Sequence, residues 1–330
     1  MKKIVIFSLF LSGIVSYAQT GTNVYPFLNI PVSARQAALG GDAISIRDHD
    51  VSFAIANPAL LNKDSDQQLS VNAAAYLADS KYGTVAYARD FDNGHMATVN
   101  ARYMTYGSIP RTDESGEQNG EFKASDVAIG AGYAYQFEED WTIGGGINFI
   151  TSKIDNYTSS AISGTAGVTY HNKKNKEVLS LVMRNFGFQL KSFNGTRENL
   201  PFRIDLGYTR ILKAIPLAVT ITAHDLQQFD ISSEYNVNGQ EVGFGRKLAD
   251  HFSIGAELFP EKGFNIRLGY NAKRGNELAV ADQRNFSGLS GGFGIKLRRF
   301  RIDYAHIRYH NSSNVNQIGV SMDLSSHAGE

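Results

Sequence analysis

This sequence predicts an all-β fold: a transmembrane outer-membrane β-barrel of about fourteen antiparallel strands with an N-terminal plug segment. Three observations lead there. From residue 125 onward, runs of about ten residues alternate apolar with polar or small side chains. Short polar turns and long loops take turns between those runs. Aromatic residues stand in pairs near both ends of several runs.

The segment 126–138 shows the alternation most clearly. Val127, Ile129, Ala131, Tyr133, Tyr135 and Phe137 share one face, and Asp126, Ala128, Gly130, Gly132, Ala134 and Gln136 the other. Side chains alternate across a strand, so one face is oily and the other small or polar. Similar strands are expected near 67–76, 83–91, 95–107, 125–138, 140–153, 161–171 and 177–187. The set continues near 201–211, 215–226, 251–260, 263–274, 287–299, 300–309 and 314–324.

The connections check that count. Asp92-Asn93-Gly94, Glu138-Glu139-Asp140, the 172–176 turn, Leu212-Lys213-Ala214, Glu261-Lys262 and Arg298-Arg299 are brief. The stretches 108–124, 188–200, 227–250 and 275–286 are long. Barrels of this class keep short turns in the periplasm and long loops outside, and an even strand count leaves both termini periplasmic. The pairs Phe264/Tyr270, Phe202/Tyr208 and Trp141/Phe149 bracket apolar outward residues. Six to eight residues at ~3.3 Å cover roughly 20–27 Å along a strand, and after tilt this approaches the ~25 Å apolar band.

Residues 1–18 read as a secretory signal peptide: Lys2 and Lys3, an apolar run 4–15, then Ser16-Tyr17-Ala18. Cleavage near Ala18 makes Gln19 the expected mature N-terminus and the outer membrane of a Gram-negative bacterium the expected location. Thirty-two basic and thirty-two acidic residues cancel, so no nucleic-acid partner is expected. With no cysteine, disulfides, thiolate metal sites and lipoprotein anchoring are excluded.

The expected divisions are a plug or cap over 19–66, the barrel over 67–324 and a tail over 325–330. In the first, Ser33 caps a short helical stretch with Ala34, Arg35 and Leu39, and Gly40 and Gly41 end it. Asn57 before Pro58 starts another helical turn. Residues 42–56 read as a strand or an irregular crossing.

No catalytic, cofactor-binding or metal-binding residues are expected. Gly288-Leu289-Ser290-Gly291-Gly292 matches G-x-S-x-G, but a nucleophile elbow needs a strand-to-helix turn, and this run reads as strand. His306 and His310 stand ~13 Å apart along a strand, too far to share an ion. Arg203, Asp205, His224, Glu257, Arg267 and Lys296 lie opposite outward apolar residues and are expected in the lumen. There they satisfy one another, hold water or the plug, or line a solute path. A midplane Arg or Lys facing lipid costs about 2–4 kcal/mol, which rules out the outward placement.

The block Ser33-Ala34-Arg35-x-Ala37-Ala38-Leu39-Gly40-Gly41, followed by Asn57-Pro58-Ala59, resembles the outer-membrane barrels of the type IX secretion system, the PorV/PorQ group. That group is similar to the FadL-like long-chain fatty-acid transporters. The resemblance implies a non-enzymatic scaffold for a cell-surface attachment complex. Its implied partners are outer-membrane lipid, lipopolysaccharide, and PorZ-like, PorU-like and PorV-like surface proteins. Partner contacts then fall on the extracellular loops, chiefly 108–124, 188–200 and 227–250, whose aromatic residues Phe122, Phe188, Phe193, Phe229, Tyr235 and Phe244 are either candidate anchors or packed on one another. The alternative is a FadL-like transporter of a hydrophobic or small solute. An outer-membrane lipid hydrolase needs a Ser/His pair on neighbouring strands at the lipid face, and none is convincing.

Overall fold

The structure, a computed structural model, describes residues 23–113, 115–236, 239–278, 286–310 and 313–325. The expected signal peptide and all but the first residue of the tail lie outside these residues. Among the described residues fourteen strands follow one another in sequence. They are β1 (Gln68–Ala75), β2 (Lys81–Asp90), β3 (His95–Thr112), β4 (Gln118–Glu138), β5 (Trp141–Ile154), β6 (Tyr157–Asn172) and β7 (Glu177–Lys191). The second half comprises β8 (Arg203–Ile211), β9 (Leu217–Ala223), β10 (Phe252–Leu258), β11 (Phe264–Asn271), β12 (Leu289–Leu297), β13 (Phe300–His310) and β14 (Ser313–Asp323).

Every strand pairs antiparallel with its neighbour in sequence, and β14 returns to β1, so the barrel closes. The closing register runs from Gln68 opposite Asp323 to Ala75 opposite Asn316. Closure leaves no edge, the condition for a sheet to stand in hydrocarbon. The face expected to be oily is the exposed one: Ile129 is 61% and Leu268 66% exposed, whereas Ala128 and Arg267 are fully buried.

Two expected boundaries move for identifiable reasons. The ninth strand begins after Pro216, which cannot donate to the ladder, and stops at Ala223 because Asp225 turns left-handed with φ 57°. The third and fourth strands extend as a hairpin to Thr112 and Gln118, across register shifts that absorb Gly107 at φ 74°. Most of the loop expected over 108–124 is therefore strand.

Residues 23–66 run inside the ring of strands. Ser33 Oγ accepts from Gln36 N at 3.2 Å and caps α1 (Ala34–Ala38), which ends at Gly40 and Gly41, φ 93° and 95°. Asn57 Oδ1 accepts from Ala59 N at 3.0 Å to start the 3-10 turn Pro58–Leu60. Between them there is no strand; Asp50 caps a 3-10 turn over Val51–Ile55. The segment starts at the long-loop end, where Val24 N donates to Asn199 O, and reaches the short-turn end, where Gln67 N donates to Ala88 O. It thus spans the lumen's height instead of lying across the short-turn mouth.

The small inward residues have a cause in that path. A Cβ added to Gly144 of β5 would lie 2.4 Å from Ala59 N, and one on Gly269 of β11 would lie 2.2 Å from Gly40 N. On Gly292 of β12 it would meet Tyr304 O of the neighbouring β13 at 2.2 Å as well as Ala38 Cβ at 2.9 Å. Glycine lets the backbone of the segment pack directly on the wall from opposite sides. Gly144→Ala should lower stability by about 1–3 kcal/mol through overpacking. Gly145→Ala, beside it on the outward face, meets only Thr165 O at 3.8 Å and should change little. Urea titrations of the detergent-folded protein compare the two; equal losses would remove the close-approach argument.

Candidate functional site

The lumen holds two groups of buried ion pairs, and each ties the N-terminal segment to the wall. The first centres on Arg35, which α1 points at β10. Its Nη1 meets Asp48 Oδ2 at 2.6 Å and its Nη2 meets Glu257 Oε2 at 2.8 Å. Glu257 also accepts from Arg267 Nε of β11 at 2.8 Å, and Arg267 Nη1 reaches Asp303 Oδ1 of β13 at 2.6 Å. Arg301 Nε closes the group on Asp303 Oδ2 at 3.1 Å. The chain of alternating charge crosses β10, β11 and β13.

The second group centres on Asp42, placed by the turn after Gly40 and Gly41. Arg203 Nη2 of β8 meets Asp42 Oδ1 at 2.8 Å, and Asn271 Nδ2 donates to Oδ2 at 2.7 Å. Arg203 is also 3.1 Å from Asp205 and 3.6 Å from Asp225. Arg184 of β7 meets Asp205 at 3.3 Å, and His224 Nδ1 lies 2.8 Å from Asp225 Oδ2.

Five of the six expected luminal residues therefore join these groups: Arg203, Asp205, His224, Glu257 and Arg267. Lys296 does not. It is exposed and lines a cavity of about 420 Å³ at the short-turn end, with Arg47, His171, Lys262 and Arg301. Asp42, Asp48, Arg184, Asp225, Arg301 and Asp303 were not singled out in the sequence. A signal existed for two of them: Arg301 and Asp303 sit two apart on a strand, hence on one face, as Arg203 and Asp205 do. Above the ion pairs, towards the long loops, Phe27 and Leu28 of the segment pack in a buried apolar cluster with Tyr82, Met104, Ile150 and Ile307.

Ser33, Ala34, Arg35, Leu39, Gly40, Gly41, Asn57 and Pro58 are all buried inside the barrel. Ser290 of the G-x-S-x-G run points inward on β12. Its hydroxyl accepts from Gly40 N at 3.2 Å and donates to Ala38 O at 3.1 Å, so both of its bonds fasten the segment. His306 faces outward and bonds Asn316 at 2.9 Å. Among the described residues no cluster of metal-ligating side chains occurs.

The loop aromatics divide. Phe122 belongs to β4 and Phe188 to the outward face of β7, so neither lies in a loop as expected. Those strands run past the point where their alternation weakens. Phe193 is half-buried against the cluster that holds Phe27. Phe229, Tyr235 and Phe244 are exposed in the β9–β10 connection, where Phe229 and Phe244 stack with ring centroids 5.5 Å apart.

An even, closed antiparallel barrel with an apolar exterior and a charged, filled interior is an outer-membrane β-barrel. No family model matches the sequence, and no curated protein matches it. Solved structures do. The CymD monoaromatic hydrocarbon channel is similar at TM-score 0.56 and 12% identity, covering 89% of this chain and 97% of that one. The Pseudomonas putida toluene transporter TodX gives 0.55 and 12%, over 88% and 97%. A Pseudomonas aeruginosa FadL homologue gives 0.55 and 10%, over 89% and 98%. The fold is thus that of FadL-like outer-membrane channels along nearly its whole length.

Removing one partner of a buried pair typically costs about 3–5 kcal/mol, because a desolvated charge is left behind. Arg35→Met and Glu257→Met should each lower stability on that scale, and the double variant should lose clearly less than their sum. Unfolding followed by loss of heat-modifiable gel migration provides the measurement. Strict additivity would show that the two side chains are not coupled.

Proposed function

We propose that this chain is an outer-membrane channel for small apolar solutes, with the N-terminal segment as the element that closes its lumen. The whole-chain likeness to structures described as hydrocarbon channels and toluene transporters carries the reading. The order of environments along the lumen supports it. A solute from outside first meets the apolar cluster around Phe27 and Leu28, then the ion-paired level, then the cavity of about 420 Å³ that adjoins the short turns.

In this reading the upper apolar contacts are the part that yields. The Phe27 and Leu28 side chains are uncharged and the charged group bonded there, Arg102, reaches the Leu28 carbonyl at 2.9 Å, whereas the level below is fastened by the ion pairs of Arg35 and Asp42. A monoaromatic ring can replace a Phe or Leu side chain in such a cluster at little cost, since volume-conserving apolar exchange is tolerated.

The secretion-scaffold reading is not adopted. The motif residues that resemble type IX components are spent inside the barrel, on caps and wall contacts, so they carry no information about a surface partner. Nothing in the described loops selects such a partner over lipid.

The test is uptake of radiolabelled toluene by intact cells that carry the wild-type chain, the Phe27→Ala/Leu28→Ala variant or no barrel. The wild type should exceed the empty strain, and the double variant should exceed the wild type several-fold because its upper cluster is loosened. Uptake by both barrels equal to that of the empty strain would remove the transport reading.

A further inference from the structure

The wall of the barrel is uneven in height. The last pair between β7 and β8 is Arg184 with Arg203, yet β7 continues to Lys191 and presents Phe186, Phe188 and Leu190 outward above that level. Apolar outward side chains so placed mark where hydrocarbon still reaches. On the neighbouring side the strands have already ended, at Arg203, Ala223 and Phe252. Strands β9 and β10 have seven residues each. Seven residues give roughly 23 Å of strand and about 18 Å of height after tilt, short of the ~25 Å band.

Above that gap sits the β9–β10 connection, and it is apolar where the wall is missing. Leu226, Phe229, Phe244 and Leu248 are exposed, Phe244 at 69%. Phe244 and Leu248 lie on one face of α2 (Phe244–Ala249), four residues apart. Arg246, on the opposite face, donates from Nη2 to Asn276 O at 3.0 Å, while Lys247 pairs with Asp230 inside the connection. His251 bonds Phe229 O at 3.0 Å and Ser232 bonds Asp250 at 2.6 Å. Leu226 N also donates to Ile204 O at 2.9 Å, so the connection is seated on the ends of β8 and β10 and folded on itself by the other bonds. Tyr235, by contrast, bridges Glu241 beside Glu234 and Gln240, in a polar tip.

We infer that this connection completes the lipid-facing wall: Leu226, Phe229, Phe244 and Leu248 contact acyl chains of the outer leaflet and supply the height that β8–β10 lack. The occupant follows from continuity with the lipid face of β7 and β10. A water-facing protein partner is the competing occupant, and the same experiment separates them.

The chain has a single tryptophan, Trp141, so Trp141→Phe gives a dark background for one reporter at a time. Reporters at Phe244→Trp and, independently, Leu248→Trp are placed in vesicles of phosphatidylcholine brominated in its acyl chains. Ile254→Trp, on the lipid face of β10, is the buried reference, and Tyr235→Trp the aqueous one. Both test reporters should lose fluorescence to the bromolipid as far as Ile254→Trp does and resist iodide. Quenching by iodide as for Tyr235→Trp, with no loss to bromolipid, would overturn the inference and return these residues to the aqueous surface.

Discussion

Everything inside this barrel depends on the line Arg35–Glu257–Arg267–Asp303, in which charges alternate across the lumen at 2.6–2.8 Å. A charge in a lumen walled by hydrocarbon and filled by protein has little water to solvate it, so it must find a partner. Glu257 answers both Arg35 and Arg267, and Asp303 answers both Arg267 and Arg301. Take Arg35 away and the wall keeps a carboxylate whose partners were arranged for two cations. The segment is therefore part of the wall's electrostatics as well as its packing, and strands β10–β13 are paired to suit its presence.

The same dependence runs through the backbone. Inward glycines on β5, β11 and β12 meet Ala59, Gly40 and Ala38 where any side chain would collide. A strand face of glycine, alanine and serine would be poor in an empty lumen, because it buries nothing. Against a close-packed backbone it is the shape that fits. The hydroxyl of Ser290, which both accepts from Gly40 N and donates to Ala38 O, adds direction to that fit.

What could be read from the sequence follows from how local its cause is. Strand number and the oily face of residues 126–138 are consequences of period-two alternation, which a lipid exterior enforces residue by residue. The caps at Ser33 and Asn57 are equally local, since each side chain bonds a backbone N–H two or three residues on. Strand ends outside the bilayer are not enforced this way, so β3 and β4 run on where alternation had faded. Ion partners were harder still. Asp42 meets Arg203 and Arg35 meets Glu257 across more than a hundred residues, and no spacing rule connects them. Lys296 shares the inward register of the others, but it stands near the short-turn end, where the lumen opens on a polar cavity and water replaces a partner.

The two ion-pair groups also bear on how such a lumen could pass anything. Expelling the segment requires both to break. At about 3–5 kcal/mol for each broken buried pair, on the order of one molecule in 10⁴ to 10⁷ would stand open at equilibrium. That population is too small for a route that relies on spontaneous release of the segment. The upper cluster is different: the side chains of Phe27 and Leu28 make only apolar contacts, no ion pair joins them to the wall, and they lie on the long-loop side of both groups, with Arg102 Nη1 donating to Leu28 O at 2.9 Å. An apolar solute there gains the burial those side chains give up, while a polar solute gains nothing to offset the displaced contacts. Selectivity for apolar solutes would then come from what the entering molecule can replace, with the charged level below holding the segment in place throughout.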